Sequence, residues 1–439
     1  MKRKLLSLLT LALTSITFGQ YTVQNLNVPM MSAAPDRISV VDQNTVWTTI
    51  YDGSENASVP RIVAVTSNSG NTWTSHNLTT VPTYSLLSDI AGVDAQKAFV
   101  VTAPSGRTTN NANGLYRTTD GGANWAKITG VFSNDSFGNI VHFYNSTTGL
   151  AIGDPVNNKY EMYKTTDGGN TWSVLTTAPT PLNEDEYGYV GGKASFGNSL
   201  WLTSNTGRIL HSTDQGVTWN SYFAPVDDFG SSESNAEFTF SSETTGLLVD
   251  NFGILWYTED AGANWEIKDA VGYYNFKIKY VPGTNGQFIS TGIDPDSDLG
   301  FGSSYSTDGG ETWVNIDSNV QRGNIGVANC ANIWVGSFTS SATGTGGILK
   351  LNNALPGCTL ATSDVNTNKT ELKAVVTNGV LSVFTNKDIK DVIVGDMSTR
   401  VLVQSTKKDL NVSQLKAGVY YARVAYTDGT FGTVKFVIK

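Results

Sequence analysis

The stretch KTTDGGNTW at residues 164–172 is one of six near-copies of the same motif. The other five are TSNSGNTW at 66–73, RTTDGGANW at 117–125, HSTDQGVTW at 211–219, YTEDAGANW at 257–265 and YSTDGGETW at 305–313. The closing tryptophans from Trp125 to Trp313 recur every 46 to 48 residues, and Trp73 lies 52 residues before Trp125. A fixed period of this length indicates a repeat architecture in which each copy is one supersecondary unit.

The segments between the copies predict what each unit is. They consist of short runs rich in β-branched and aromatic residues, such as GNIVHFY at 138–144, separated by Gly, Asn, Ser and Asp. Alternation of this kind is typical of strands joined by turns, and four strands in each repeat indicate a propeller blade. We therefore predict an all-β fold with a seven-bladed β-propeller over residues 20–356. Six blades carry the motif, and NIWVGSF, GGILKL and the N-terminal YTVQNLNV form the closing blade.

The motif Ser/Thr-x-Asp-x-Gly-x-x-Trp resembles the Asp-box, or BNR repeat, of sialidases, sortilin-type receptors and photosystem assembly factors. We expect its carboxylate to accept hydrogen bonds from backbone N–H groups two residues ahead, its glycine to take a positive φ and its tryptophan to pack between blades. A catalytic carboxylate has no reason to recur around a ring, so the motif is interpreted as structural. Its bracing residues are Asn68, Asp120, Asp167, Asp214, Asp260 and Asp308, with Trp73, Trp125, Trp172, Trp219, Trp265 and Trp313.

Two segments indicate export. Residues 1–19 combine Lys2, Arg3 and Lys4 with a short apolar run and small residues before position 20, which is the pattern of a signal peptide. The segment 370–439, after a linker at 357–369, alternates like a small β-sandwich and lacks tryptophan. Its runs DVIVGDMSTRVLV, LNVSQLKAGVYYARV and GTVKFVIK resemble the type A C-terminal sorting domain of the Bacteroidetes type IX secretion system. The resemblance implies a secreted or surface-attached protein whose partner during export is the type IX machinery.

Charge and cysteines narrow the possible partners. Residues 21–359 hold 15 Lys and Arg against 31 Asp and Glu, and a surface this acidic disfavours nucleic acid. No long apolar stretch follows the leader, so no transmembrane segment is predicted. Only two cysteines are present, Cys330 and Cys358, and an exported protein can form a disulfide between them. Two unpaired thiols are the alternative.

Function is expected on the face opposite the Asp-box hairpins, where long loops connect strands two and three and successive blades. We hypothesise a binding module for a glycan or an extracellular protein, with aromatic contacts from Tyr51, Tyr187, Tyr189 and Phe229. The alternative is a carbohydrate-active enzyme, with a hydrolase favoured over a lyase or a sialidase. Its paired carboxylates would come from a set of acidic loop residues: Asp52, Asp154, Glu161 and Asp250.

One loop has a spacing that suits a hard cation. Asp294, Asp296 and Asp298 place three carboxylates at alternating positions, as calcium loops do. The glycine and the closing Glu of an EF-hand are not in register, so a solvated acidic loop is the alternative. Calcium is the one cofactor that the sequence suggests.

Overall fold

The computed structural model describes residues 20–106, 112–230, 235–295, 297, 299–358, 372–385, 387–396, 400–427 and 431–438. The leader at 1–19 and most of the linker at 357–369 lie outside these residues. The chain divides into two compact units, Met1–Leu360 and Ala361–Lys439. All regular elements of the described residues are β-strands, and none of these residues forms a helix that could cross a membrane. The prediction of an all-β fold is confirmed.

The first unit consists of four-stranded antiparallel sheets. The chain begins with β1 (Tyr21–Asn25), and the first three complete sheets are β2 (Ala33–Val40), β3 (Val46–Asp52), β4 (Ile62–Thr66) and β5 (Thr74–Asn77); β6 (Ser85–Gly92), β7 (Ala98–Pro104), β8 (Gly114–Thr118) and β9 (Ala126–Ile128); β10 (Gly138–Phe143), β11 (Gly149–Val156), β12 (Lys159–Thr165) and β13 (Ser173–Val174).

The next three sheets repeat this order. They are β14 (Gly188–Phe196), β15 (Ser199–Ser204), β16 (Arg208–Ser212) and β17 (Asn220–Phe223); β18 (Glu237–Phe240), β19 (Gly246–Val249), β20 (Leu255–Thr258) and β21 (Glu266–Ile267); β22 (Lys277–Tyr280), β23 (Phe288–Gly292), β24 (Gly302–Ser306) and β25 (Val314–Ser318). A seventh sheet contains β26 (Ile325–Asn329), β27 (Asn332–Thr339) and β28 (Gly346–Leu351), with β1 as its fourth strand.

The first strand of each sheet lies at the centre of a closed ring. Strands β2, β6, β10, β14, β18, β22 and β26 each contact the next in this series, and β26 contacts β2. A separate hydrophobic cluster fills each junction between neighbouring sheets, such as the one that joins Trp47 of the first sheet to Trp125 of the second. The sheets are therefore the blades of a β-propeller.

Each Asp-box forms the hairpin between the third and fourth strands of its blade. In the copy at 164–172, Asp167 Oδ1 accepts hydrogen bonds from the backbone N–H groups of Asn170 and Thr171, both at 3.0 Å. The hydroxyl of Thr165 donates to the same oxygen at 2.9 Å. The indole Nε1 of Trp172 donates to the carbonyl of Gly169 at 3.3 Å. The motif therefore closes on itself and leaves its carboxylate fully occupied.

One detail of the expected hairpin is wrong. The N–H group two residues after Asp167 belongs to Gly169, and it donates to the hydroxyl of Thr165 at 2.9 Å rather than to the carboxylate. The carboxylate instead reaches three and four residues ahead, because the two glycines at positive φ, 73° at Gly168 and 81° at Gly169, turn the chain back towards it. In the first hairpin Asn68 makes the equivalent contact to Thr72 N at 2.9 Å.

Two contacts fix the two ends of the propeller unit in place. Strand β1 pairs along β28, from Tyr21 opposite Leu351 to Asn25 opposite Gly347, so the N-terminal strand completes the last blade. A disulfide connects Cys330 and Cys358, whose Cα atoms are 5.6 Å apart. The sulfurs belong to the cluster between the last two blades. The bridge therefore ties the end of the propeller unit to its final blade.

The second unit is a small β-sandwich. Its strands are β29 (Lys373–Thr377), β30 (Val380–Phe384), β31 (Ile389–Asp396), β32 (Val401–Ser405), β33 (Asp409–Asn411), β34 (Gly418–Tyr426) and β35 (Phe431–Ile438). One sheet has the order β29-β30-β33 and the other β32-β31-β34-β35. Leu381 and Val383 of the first sheet pack against Val392 and Val424 of the second, which gives the unit its own core.

Candidate functional site

The seven inner strands surround a central cavity of about 440 Å³. Its wall includes residues from every blade, among them Asp36 of β2, Asp89 of β6, Lys193 of β14 and Lys277 of β22. Residues from the connections before β18 and β26 also contribute. These connections enter from the face opposite the Asp-boxes. A cavity of this size falls within the range of small-molecule sites.

Irregular pairing directs charged groups into this cavity. In β14, Gly188 pairs with Ser204 and Lys193 pairs with Leu202, so the four residues from 189 to 192 bulge out of the sheet. Within this bulge Gly191 has a φ of 63°, and a Cβ there would lie 2.6 Å from Arg37 Nε of the first blade. Bulges commonly occur beside functional sites, where they change the direction of side chains. Here the bulge brings the fourth blade across the ring to the first.

The cavity contains more cations than carboxylates. Its basic residues are Arg37, Lys193, Lys277 and Lys279, and its acidic residues are Asp36, Asp89 and Glu237. Each carboxylate has a cationic neighbour: Arg37 lies 3.3 Å from Asp36, Lys193 contacts Asp89, and Lys277 contacts Glu237. Within the part of the chain that the structure describes, Lys279 forms no such pair. This excess of positive charge lies inside an otherwise acidic propeller.

Burial and mutual repulsion shift the pKa values of the basic groups in the cavity. Burial lowers the pKa of Lys193, Lys277 and Lys279, and the positive charge of Arg37 lowers each of them further. Burial also lowers the pKa of His142 on the cavity wall to about 3, with a smaller contribution from Lys193, so this histidine is neutral at physiological pH. A bound anion would offset the repulsion among the lysines and raise the pKa of each.

The two faces of the propeller differ in their exposed apolar groups. Of the large apolar side chains that are exposed in the described part of the propeller, ten lie in the connections, or at the ends of second strands, on the face opposite the Asp-boxes, which we call the loop face. They are Met31, Tyr51, Tyr84, Leu182, Tyr187, Phe252, Ile254, Val271, Val320 and Phe338. Among the same residues, only Val217 is exposed within an Asp-box hairpin. The loop face therefore has the composition of an interaction surface.

The predicted aromatic contacts are not equally available. Tyr51 is 39% exposed and packs edge-on against Phe338, with ring centroids 6.0 Å apart. Tyr187 is 43% exposed and packs against Tyr189, whose hydroxyl donates to Asp228. Phe229 is only 3% exposed, because it packs on Phe238 in the cluster between the fourth and fifth blades, and together with Tyr189 it contributes to the wall of the central cavity.

The four candidate catalytic carboxylates are braces of separate loops, and the structure does not bring them to one site. Asp52 accepts from the backbone of Ser54 and Ser58, and these bonds outweigh burial and lower its pKa to about 2. Asp250 accepts from Phe252 N, Ile254 N and Trp256 Nε1, each at 2.9 Å. Glu161 accepts from Ser133 N and from the hydroxyl of Tyr163.

Asp154 differs from the other three candidates. Its Oδ1 accepts from Asn139 Nδ2 at 2.6 Å and from the backbone N–H of Gly188 in the next blade at 2.9 Å. Burial raises its pKa to about 6 despite these two bonds. It is therefore the candidate carboxylate with the chemistry of a general acid, but it lies outside the residues that line the cavity.

The predicted calcium loop contains three candidate ligands, and the structure describes one of them. Asp294 is described, whereas Asp296 and Asp298 lie outside the described residues. Elsewhere in the described ranges, no group of three His, Cys, Asp or Glu side chains is arranged to hold a metal ion. Calcium at this loop stays a prediction.

Sequence reasoning missed the basic residues of the cavity. The candidate residues were all placed in loops, whereas three of the four basic residues of the cavity are lysines on inner strands. A signal was present in NFKIKY at 275–280, where Lys277 and Lys279 alternate with apolar residues in a strand that should face the ring centre. Two lysines on the inward side of a central strand are unusual enough to mark a site.

The blades, the closed ring and the repeated hairpins define an Asp-box β-propeller. Residues 131–338 match the family model described as photosynthesis system II assembly factor YCF48. No curated protein is significantly similar to the chain.

Solved structures of the same fold include two of YCF48. One is YCF48 bound to a D1 peptide, which is 16% identical, covers 78% of this chain and 98% of its own, and superposes with a TM-score of 0.52. The other is YCF48 from Cyanidioschyzon merolae, at 14% identity, 75% and 99% coverage and a TM-score of 0.51. At these identities the likeness shows the fold, and it confirms the predicted BNR-type propeller.

Proposed function

We propose that this protein is an exported, extracytoplasmic propeller that binds a segment of a partner protein on its loop face. The observation that carries the proposal is the uneven distribution of exposed apolar side chains. The loop face presents groups such as Phe252, which is 91% exposed, whereas the aromatic groups of the Asp-box hairpins are packed between blades. Exposed aromatic residues of this kind are the usual anchors of protein interfaces. The YCF48 structure with a bound peptide supports the proposal, because that protein has the same fold.

The charge of the loop face defines the partner further. Seven exposed carboxylates of the described residues lie in its loops: Glu55, Asp135, Glu184, Asp185, Asp227, Asp269 and Asp294. Opposite charges steer association and select partners, so the segment that binds here should combine apolar anchors with Lys or Arg. An acidic segment would be repelled from the same loops.

Selection of peptides on the intact chain tests this proposal. A displayed library of random peptides should yield sequences with aromatic or aliphatic residues beside Lys or Arg. Binding of the selected peptides should fall at least tenfold in Phe252→Ser and stay unchanged in Val217→Ser, the matched substitution on the Asp-box face. Equal losses in both variants, or selected peptides that are acidic and polar, would reject the loop face as the binding surface.

A glycan is the second candidate ligand, and the aromatic pairs favour it. Tyr51 with Phe338 and Tyr187 with Tyr189 present half-exposed rings of the kind that stack on sugars. A glycan array probed with the wild type and with Tyr51→Ser and Tyr187→Ser distinguishes the two ligands. Loss of a glycan signal in the tyrosine variants, without loss of peptide binding, would assign these pairs to a sugar.

A hydrolytic activity receives less support. A glycosidase needs two facing carboxylates, one of them protonated at working pH. In the cavity, Asp36, Asp89 and Glu237 are each engaged in an ion pair with a basic side chain. Release of reducing sugar from a polysaccharide panel, lost in Asp154→Asn, would overturn this preference.

Export is proposed from the two terminal segments. The leader carries a signal-peptide pattern, and the sandwich of residues 373–438 provides the compact unit that a sorting domain requires. Fusing residues 1–19 and 361–439 to a reporter protein, in a bacterium that has a type IX system, tests both segments. The reporter should reach the medium or the cell surface, and it should stay in the periplasm when the secretion system is inactivated.

A further inference from the structure

Among the described residues, the central cavity has one more basic side chain than carboxylates. Arg37, Lys193 and Lys277 each contact a carboxylate, whereas Lys279 forms no ion pair there, although the charge of Asp89 acts on it. Lys277 and Lys279 lie two residues apart on β22, so both side chains point to the same side of the sheet, while Ile278 between them is fully buried in the core. An unpaired charge in a partly buried place is costly unless a ligand completes it.

The basic groups are close enough to act on one ligand. Arg37, Lys193, Lys277 and Lys279 line the same cavity, and the charge of Arg37 lowers the pKa of each lysine. The bulge at Gly191 holds Arg37 in place from the opposite wall. Solvent reaches the site, because 14% of the side-chain surface of Lys277 and 21% of that of Lys193 are exposed. An anion that enters from solvent would therefore meet several cations at once.

We propose that the central cavity binds a small molecule that bears one carboxylate, with Lys279 and Arg37 as its cationic contacts. One excess positive charge matches one carboxylate. The volume of about 440 Å³ accommodates a molecule of the size of a sugar acid. The hydroxyl of Ser195 and the side chain of Asn324 on the same wall provide polar contacts for hydroxyl groups. This ligand is separate from the partner protein proposed for the loop face.

Calorimetry on the full chain tests the proposal with defined probes. D-glucuronate should bind with one-to-one stoichiometry, and D-glucose, which has the same ring without the charge, should not. Succinate and a blocked peptide that contains one Glu show whether any small carboxylate suffices or whether a sugar acid is required. Binding by any of these acids supports a carboxylate site. Silence from all of them, or binding of inorganic phosphate alone, overturns it.

Substitution of the unpaired lysine locates the binding. Lys279→Met keeps most of the side-chain volume and removes the charge, so the affinity for the bound acid should fall at least tenfold. Lys159→Met, at an exposed lysine whose Nζ donates to Thr176 O, is the matched control and should leave the affinity unchanged. Lys279→Met should fold as well as the wild type, because it removes an unpaired charge. An unchanged affinity in this variant would place the acid elsewhere.

The pH dependence provides a second readout. Burial and Arg37 lower the pKa of Lys279, and a bound carboxylate favours its protonated form. The affinity should therefore weaken as pH rises from neutral through the lowered pKa of Lys279, and this change should be smaller in Lys279→Met. A pH-independent affinity in the wild type would contradict the proposed contact. The charged and titratable groups that line the cavity with Lys279 are Asp36, Arg37, Asp89, His142, Tyr189, Lys193, Glu237 and Lys277.

Discussion

The third blade has an aspartate at each end, and the two behave in opposite ways. Asp167, in the Asp-box hairpin, is exposed, yet hydrogen bonds from Thr171 hold its pKa well below the usual range. Asp154, at the loop-face end of β11, is partly buried, and its pKa is raised to about 6. The hairpin supplies every contact of Asp167, whereas Asp154 takes one of its two bonds from the next blade. The carboxylate of Asp167 is therefore held within its own hairpin, whereas that of Asp154 depends partly on the next blade.

The largest effect is expected where the hairpin packs against another blade. Gly169→Ala should lower the free energy of unfolding by about 3 kcal/mol or more, because the residue has a positive φ and the added Cβ would lie 2.2 Å from Phe99. Gly106→Ala, at a positive φ on the loop face with open space around it, should cost only about 1–2 kcal/mol. Tryptophan fluorescence in urea measures both, because all ten tryptophans lie in the propeller unit. Equal losses of stability in the two variants would show that the clash with Phe99 is not the cause.

Asp154 should make stability fall as pH rises. A carboxyl whose pKa is raised in the folded state binds more protons there than in the unfolded chain. The contribution of Asp154 to stability is therefore fully present below about pH 4. It should be lost as pH rises to about 6, by about 1–2 kcal/mol once partial exposure is allowed for. Asp154→Asn should flatten this slope in urea titrations between pH 4 and 7. A slope that persists in the variant would assign it to another group.

Asp167 should act with the opposite sign and at lower pH. Its pKa is lowered in the folded state, so its contribution is present above the unfolded value near pH 4 and lost as pH falls further. Asp167→Asn should therefore be less stable than the wild type at pH 7, and the difference should shrink below pH 4. Melting temperatures across this range measure it. The natural Asn68 shows that an amide can occupy this position.

The smallest effect is expected for the exposed anchor of the loop face. Phe252→Ser should change the free energy of unfolding by less than about 0.5 kcal/mol, because little of the side chain is buried. Trp172→Ser, in the third Asp-box, should be far more destabilising, since its ring packs against Phe99 and Phe143. Thermal melts of the two variants compare them directly. A large loss in Phe252→Ser would give this residue a structural role.

The sequence predicted the repeated end of each blade much better than the variable end. A turn whose carboxylate is bound entirely within nine consecutive residues can be recognised from those residues, as the Asp167 copy shows. The cavity depends on residues far apart in sequence, such as Arg37 and Lys279, which meet only when the ring closes. The bulge from 189 to 192 follows from the register of one pair of strands, which composition does not reveal. The low exposure of Phe229 was not predictable for a similar reason, since a loop aromatic can turn inward to fill a junction between blades.

The pairing of β1 with β28 joins residues more than 320 positions apart. Contacts this distant are slow to form, because the loop-closure entropy must be overcome before they contribute stability. Until β1 docks, β28 presents an unpaired edge that accepts any matching strand. At high protein concentration, residues 21–25 of a second molecule could occupy this edge and link two incomplete rings through an exchanged strand. Refolding of this propeller is therefore expected to be concentration-dependent, with dilution favouring the closed monomer.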